Sequence, residues 1–372
     1  MNTNMQAIAE KKLFTPGPLN TSIRVKEAML RDLGSRDKEF INKIDEIRTK
    51  LLELSGVVKG DYEAVVMQGS GTFGIESVIN STVPIDGKLL VIINGAYGTR
   101  IQRIASRLGI DTLELSYQEN EIPSLSEIET ILSEDEEITS VAIVHCETTT
   151  GIINPIHKVG EIVKKYNAEY IVDAMSSFGA YKIDLVDDKI DYLISSSNKC
   201  IEGVPGFSFV LAKLASLEKK ESFSISTSLD LFEQWKGLEK NGQFRFTPPT
   251  HSLLAFNEAL NELDEEGGIT GRANRYIKNH ELLISGMYEL DFETYVPLEY
   301  QGHIITAFYY PNHANFDFNT FYEELSIRGF VIYPGKLSKV DCFRIGNIGK
   351  IYENDISELL GAISEVKIKM NF

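Results

Sequence analysis

The sequence predicts an α/β chain: a large domain with a mostly parallel central sheet, plus a smaller C-terminal α+β domain. Three observations carry this reading. Short apolar runs alternate with helical periodicity from about residue 60 to residue 213, the signature of a sheet covered by helices. Strand, helix and strand repeat several times, the order expected of a mostly parallel sheet covered on both faces. After about residue 250 the pattern changes to long helical stretches with fewer, shorter strands.

Taken in order, the segment 1–20 contains LFTPGPLN, and helical stretches follow at about 21–33 and 36–56. Strands are expected at 62–67 (YEAVVM), 88–93 (KLLVII), 111–116 (DTLELS), 139–145 (TSVAIVH), 169–173 (EYIVD), 191–196 (DYLISS) and 207–212 (FSFVLA). Helices fit between them at about 72–81, 97–108, 124–133 and 155–166. Beyond these come helices at 251–265 and 270–290, strands at 303–309 and 341–345, and a last helix at 353–369. A chain of 372 residues exceeds one ordinary core. The expected division is an N-terminal segment 1–20, a large domain 21–255 and a small domain 256–372, closely packed around a cleft.

With 37 basic and 54 acidic residues the net charge is −17, which disfavours nucleic acid or an anionic membrane as partner. No apolar run reaches the roughly 18 residues of a membrane span. The opening MNTNMQAIAEKK has no apolar core of the secretory kind. Cys146, Cys200 and Cys342 are widely spaced, forming neither a disulfide framework nor a zinc pattern, as expected of a cytoplasmic protein. No metal site is expected.

Three stretches carry chemistry. Gln68-Gly69-Ser70-Gly71-Thr72-Phe73-Gly74 joins a strand to a helix, where free amides and the helix dipole favour an anion. Its glycines also satisfy GxGxxG, so a dinucleotide is the competing ligand. Against that reading, the following strand ends in Ile93-Asn94-Gly95-Ala96, without the acidic residue that would hold a ribose. In Ile171-Val172-Asp173-Ala174 a carboxylate ends a strand, where open α/β sheets bind ligands and where a helix cap is the plainer explanation. Ser195 to Gly206 frames Lys199 with small polar residues and glycines, although a lone lysine is ordinarily solvated. The set is more specific than its members. Pyridoxal phosphate needs an anion cradle for its tail, a carboxylate for its ring nitrogen and a lysine for its aldehyde.

At these residues the chain resembles the class V aminotransferases of fold type I, and within them the branch that passes the amine of 2-aminoethylphosphonate to pyruvate. LFTPGPLN, GSGTFGIES, NGAYGTR, HCETTTGI, VDAMSSFG, SSSNKCIEGVPGFSFV, FRFTPPTH and FRIGNIG carry the resemblance, in family order, over nearly the whole chain. It implies the cofactor pyridoxal 5′-phosphate, bound to Lys199 as a Schiff base, with Lys199 also moving the proton. It implies that Asp173 pairs with the ring nitrogen, that Ser70, Gly71, Thr72 and Asn198 hold the phosphate, that Tyr97 stacks on the ring and that Thr148 touches its hydroxyl. Thr247 would reach the neighbouring subunit's cofactor, implying a homodimer with shared sites. Arg344 would bind the substrate's acid group by its planar fork, with Gly17 and Arg245 as further substrate contacts. The implied reaction turns 2-aminoethylphosphonate and pyruvate into phosphonoacetaldehyde and L-alanine, in phosphonate breakdown. An alanine–glyoxylate or serine–pyruvate transaminase of the same fold, a nicotinamide dehydrogenase and a binding protein without turnover are the alternatives.

Overall fold

The computed structural model describes residues 10–335 and 340–372. Residues 1–9, the greater part of the stretch read as lacking a secretory core, lie outside the described residues. The large sheet has seven strands: β1 Tyr62–Gln68, β2 Lys88–Ile93, β3 Asp111–Ser116, β4 Ile138–Val144, β5 Glu169–Asp173, β6 Tyr192–Ser196 and β7 Phe207–Lys213. Their spatial order is β1-β7-β6-β5-β4-β2-β3. Neighbours from β6 to β3 pair in parallel, whereas β7 is antiparallel to both β6 and β1. The reason is local. Only residues 197–206 join β6 to β7, too few for a crossover helix, so the chain must turn back on itself.

Central strands are buried on both faces, which explains their unbroken Val/Ile/Leu composition. The edge strand β3 has no buried residue and carries Asp111 and Glu114, charges that discourage a further strand from adding. At the other edge, β1 is packed by helices α2 (Lys38–Glu53) and α7 (Leu231–Asn241). Between the strands run α3 (Gly71–Thr82), α4 (Ala96–Arg107), α5 (Leu125–Glu134) and α6 (Ile156–Lys165). The stretch read as one helix over 21–33 is shorter: α1 covers only Ile23–Glu27, and turns follow. Leu30, which would continue its apolar face, is 84% exposed. A helix without a surface to bury against does not propagate.

One hydrophobic core runs from Val25 to Leu263 around this sheet and takes in α8 (Thr250–Glu265). A second gathers Leu283 and Met287 of α9 (Gly268–Glu289) with Phe292, Phe308, Phe321, Phe343, Leu359 and Ile363. It surrounds a three-stranded antiparallel sheet, in which β10 (Cys342–Gly346) lies between β8 (Ile305–Tyr309) and β9 (Tyr333–Pro334). Helices α10 (Phe318–Ile327) and α11 (Glu353–Met370) pack on each other beside it. The N-terminal segment joins this second core. Lys12–Leu13 pairs in parallel with Phe330–Val331, and Phe14 is fully buried there. Among the described residues no helix is long and apolar enough to cross a membrane.

Candidate active site

The carboxyl ends of β1, β2, β4, β5 and β6 all open onto one edge of the sheet, the side on which open α/β sheets take ligands. A cavity of about 170 Å³ lies there. A void of roughly 150 Å³ accepts a single six-membered aromatic ring. Ser70, Gly71, Thr72, Tyr97, Asp173, Asn198 and Lys199 all line it.

At one end of the cavity, Gly69 adopts φ +103°, a left-handed conformation that turns β1 into α3. Ser70 caps α3 without a side-chain bond to its first turn, so the hydroxyl is uncommitted. Gly71 and Thr72 are the first helical residues, whose N–H groups have no partner within the helix. A Cβ on Gly71 would run into the Met175 side chain, which packs directly against this helix start.

Asp173 ends β5, is buried, and accepts a hydrogen bond from the Met175 amide at 2.9 Å. Burial pushes its carboxyl up to about 6, against the pull of that amide, Arg100 and Lys199. Lys199 lies in the turn after β6. Burial of its amine pulls it down to about 8, so the neutral, nucleophilic form is within reach at ordinary pH. Its Nζ donates to the carbonyl of Pro16 at 2.7 Å. Gly17, at φ +108°, lies directly against it: a Cβ there would be 2.9 Å from Nζ and 2.8 Å from the Asn198 carbonyl.

The lysine turn is clamped from behind. Glu202 holds φ +66°, a conformation costing about 1–3 kcal/mol for a residue with a side chain. Its Oε1 accepts from Arg275 Nη2 at 2.7 Å and from the Tyr276 hydroxyl at 2.5 Å. Arg272 donates to the Cys200 carbonyl at 2.5 Å and pairs with Glu266 at 2.6 Å. Arg272, Arg275 and Tyr276 belong to α9 and Glu266 to the two-residue link before it, so the turn bearing Lys199 is fixed to the frame that leads into the second core.

Glu147 is fully buried between Cys146, which lines the cavity, and Thr148. It accepts from the Gly98 amide at 2.8 Å, the Tyr97 amide at 3.3 Å and the Thr149 hydroxyl at 3.3 Å. It thereby caps α4 from a distant loop and fixes the helix start that presents Tyr97. Burial pushes this carboxyl up to about 7, the amides of Gly98 and Tyr97 opposing.

Arg344, on β10, is also buried. Nη1 donates to the Thr148 carbonyl at 2.7 Å, and Nε and Nη2 donate to the Pro334 carbonyl at 3.1 and 3.0 Å. Among the described residues no carboxylate pairs with it. Burial accordingly disfavours its charge and lowers its pKa. Thr148 itself is buried and is not among the residues that line the cavity. Arg245 and Thr247 are not brought to this cavity. They line a separate surface recess with Arg36, and Arg245 donates to the Thr227 carbonyl at 3.0 Å.

Two residues of the site, Arg100 and Glu147, were not singled out in the sequence, although NGAYGTR and HCETTTGI contain them. Arg100 lines the cavity one helical turn beyond Tyr97, on the same face of α4. That i, i+3 spacing was the available signal. Glu147 bonds a helix 49 residues away in sequence, and no local pattern reports such a contact.

Residues 20–329 match the family described as aminotransferase class-V. The chain belongs to that family. Among the relatives of this class-V aminotransferase is a 2-aminoethylphosphonate–pyruvate transaminase of Bacillus cytotoxicus, 53% identical over 354 residues, covering 95% of this chain and 97% of that protein. Solved structures with the same fold include an alanine–glyoxylate aminotransferase from Nostoc (TM-score 0.89, 25% identity, 98% of this chain and 97% of that one). Another is a ureidoglycine–glyoxylate aminotransferase from Bacillus subtilis (TM-score 0.89, 22% identity, 97% of this chain and 94% of that one). Family membership sets aside the nicotinamide reading of the glycine spacing.

The cofactor of this class-V aminotransferase is pyridoxal 5′-phosphate, and the cavity fits it. A ring-sized space has an anion cradle at the start of α3, a buried carboxylate at the end of β5 and a buried amine with a depressed pKa.

Proposed function

We propose that this aminotransferase moves the amine of 2-aminoethylphosphonate to pyruvate, giving phosphonoacetaldehyde and L-alanine, in the breakdown of phosphonates. The observation that carries the chemistry is a buried amine and a buried carboxylate on one ring-sized cavity. The substrate is supported by the names of relatives about half identical over 95% of the chain, and by Arg344, a buried cation with no carboxylate partner among the described residues.

When bound, pyridoxal phosphate supplies an aldehyde for amine exchange and a ring that withdraws electrons from the substrate carbon. Lys199 would hold the cofactor by that aldehyde at rest, and its neutral Nζ would move the proton at the amine-bearing carbon of the substrate. Asp173 keeps the ring nitrogen protonated through a charge-assisted hydrogen bond, worth about 1.5–3 kcal/mol. Ser70, Gly71, Thr72 and Asn198 bind the phosphate, Tyr97 packs on the ring and Thr148 orients its hydroxyl. Arg344 holds the phosphonate of one substrate and the carboxylate of the other, two anions that suit a bidentate fork. Gly17, by carrying no side chain, lets its backbone lie directly against Lys199, where the substrate amine arrives.

The working unit we propose is a cytoplasmic homodimer. Thr247 and Arg245 lie away from this chain's own cavity, as residues serving a neighbour's site do. The apolar side chains of Phe73, beside the phosphate loop, and Phe246, beside Thr247, are 50% and 45% exposed. A second copy packed against these rings would cover them.

The test is a donor panel with pyruvate as acceptor, reading alanine. Alanine is expected from 2-aminoethylphosphonate. Turnover of serine, or of alanine with glyoxylate, together with none of the aminophosphonate, would overturn the substrate while leaving the cofactor chemistry intact.

A further inference from the structure

We propose that Arg100 is the charge partner of the cofactor phosphate. The inference rests on the reading above, in which that phosphate lies at the start of α3. A phosphate monoester carries a charge of about −1.5 to −2 at neutral pH. Against it, the cradle offers the hydroxyls of Ser70 and Thr72, the first amides of α3 and the partial charge of a helix end. All are neutral groups or fractions of a charge.

Among the described residues, two cations line the cavity, Lys199 and Arg100. Lys199 is bonded to the Pro16 carbonyl and is reserved for the aldehyde. Arg100 stands on the phosphate side: its Nη1 donates to Thr72 Oγ1 at 3.2 Å. That bond occupies a lone pair of the hydroxyl and leaves the Thr72 proton free to be donated to an anion. Arg100 has no carboxylate partner among the described residues. Its guanidinium carbon lies 4.8 Å from the centre of the Tyr97 ring, so the cation is held before any ligand arrives. It also sits near the start of α4, where the helix dipole disfavours a positive charge. An anion between the two helix starts relieves both conditions.

The experiment compares two ligands on the full-length chain freed of cofactor, followed by absorbance: pyridoxal 5′-phosphate and pyridoxal, which lacks the phosphate. Arg100→Gln is expected to weaken the phosphorylated ligand about 10- to 100-fold, the range of a charge-assisted hydrogen bond, and to leave pyridoxal unchanged. Arg100→Lys should recover part of the loss. Unchanged pyridoxal binding also reports that the variant is folded. Equal weakening of both ligands would overturn the assignment, placing Arg100's effect on the ring through Tyr97 or Asp173. No weakening of either would overturn it as well. Failure of the unaltered chain to bind either ligand would instead sink the cofactor reading, and this inference with it.

Discussion

Glu147→Gln tests how burial and backbone amides are balanced beside the site. Glu147 is fully buried, and its carboxyl sits at about 7 instead of its ordinary 4.5, chiefly because burial penalises the ion. Below pH 4.5 it is protonated in the folded and the unfolded chain and contributes nothing to the difference. As pH rises the unfolded chain ionises first, so folding loses stability until about pH 7, beyond which the loss is constant. Between pH 5 and pH 8 this amounts to about 2–3 kcal/mol. Glutamine has nearly the same shape and no such titration. Its amide nitrogen also faces the Tyr97 N–H, a mismatch costing about 1–3 kcal/mol, but at every pH alike. The assay is denaturant unfolding without cofactor, read by the single tryptophan, Trp235, which is buried in the large core. The variant is expected to gain about 2–3 kcal/mol relative to the unaltered chain on going from pH 5 to pH 8. Parallel stability curves over that range would refute the burial argument.

Other outcomes follow from the same geometry. Lys199 is held at about 8, so the rate at which the cofactor-free chain captures pyridoxal phosphate should rise through pH 8 and then level. Stopped-flow absorbance that keeps climbing toward the ordinary lysine range, with no bend near 8, would contradict this. Arg344→Gln should raise KM for pyruvate and the aminophosphonate about 10- to 100-fold while cofactor absorbance is retained; an unchanged KM for both would remove Arg344 from the substrate site. Glu202→Ala leaves Arg272 and Arg275 with Glu266 alone and frees a strained turn, so unfolding free energy should fall by about 3 kcal/mol. A loss below about 1 kcal/mol in denaturant titration would show that the network does not clamp the lysine turn.

The sheet strands were legible because each is a short apolar run between turn residues, and the structure places all seven within a residue or so of the expected ends. What failed in the sequence was context. The stretch 21–33 has helical spacing but no surface to bury Leu30, so only α1 forms. Helix α7 was passed over although its signals are local: Asp230 caps the Glu233 amide, and Gly242 ends the helix at φ +72°. Helix α10 was missed in the same way, with Asp317 capping Thr320. The antiparallel direction of β7 follows from the short 197–206 connection, which the spacing already contained. Asp173 and Lys199 could be picked out because strand ends and glycine turns mark them locally. Arg100 is marked only by its i, i+3 spacing from Tyr97, and Glu147 by no local pattern, because it acts across a distant helix start.

The most direct test of the central claim is reduction of the holoenzyme with borohydride, then unfolding, digestion and mass measurement of the lysine-containing peptides. A pyridoxyl group should remain on the peptide containing Lys199 and be absent from Lys199→Ala. A label on a different lysine, or one that survives unfolding in Lys199→Ala, would contradict the assignment.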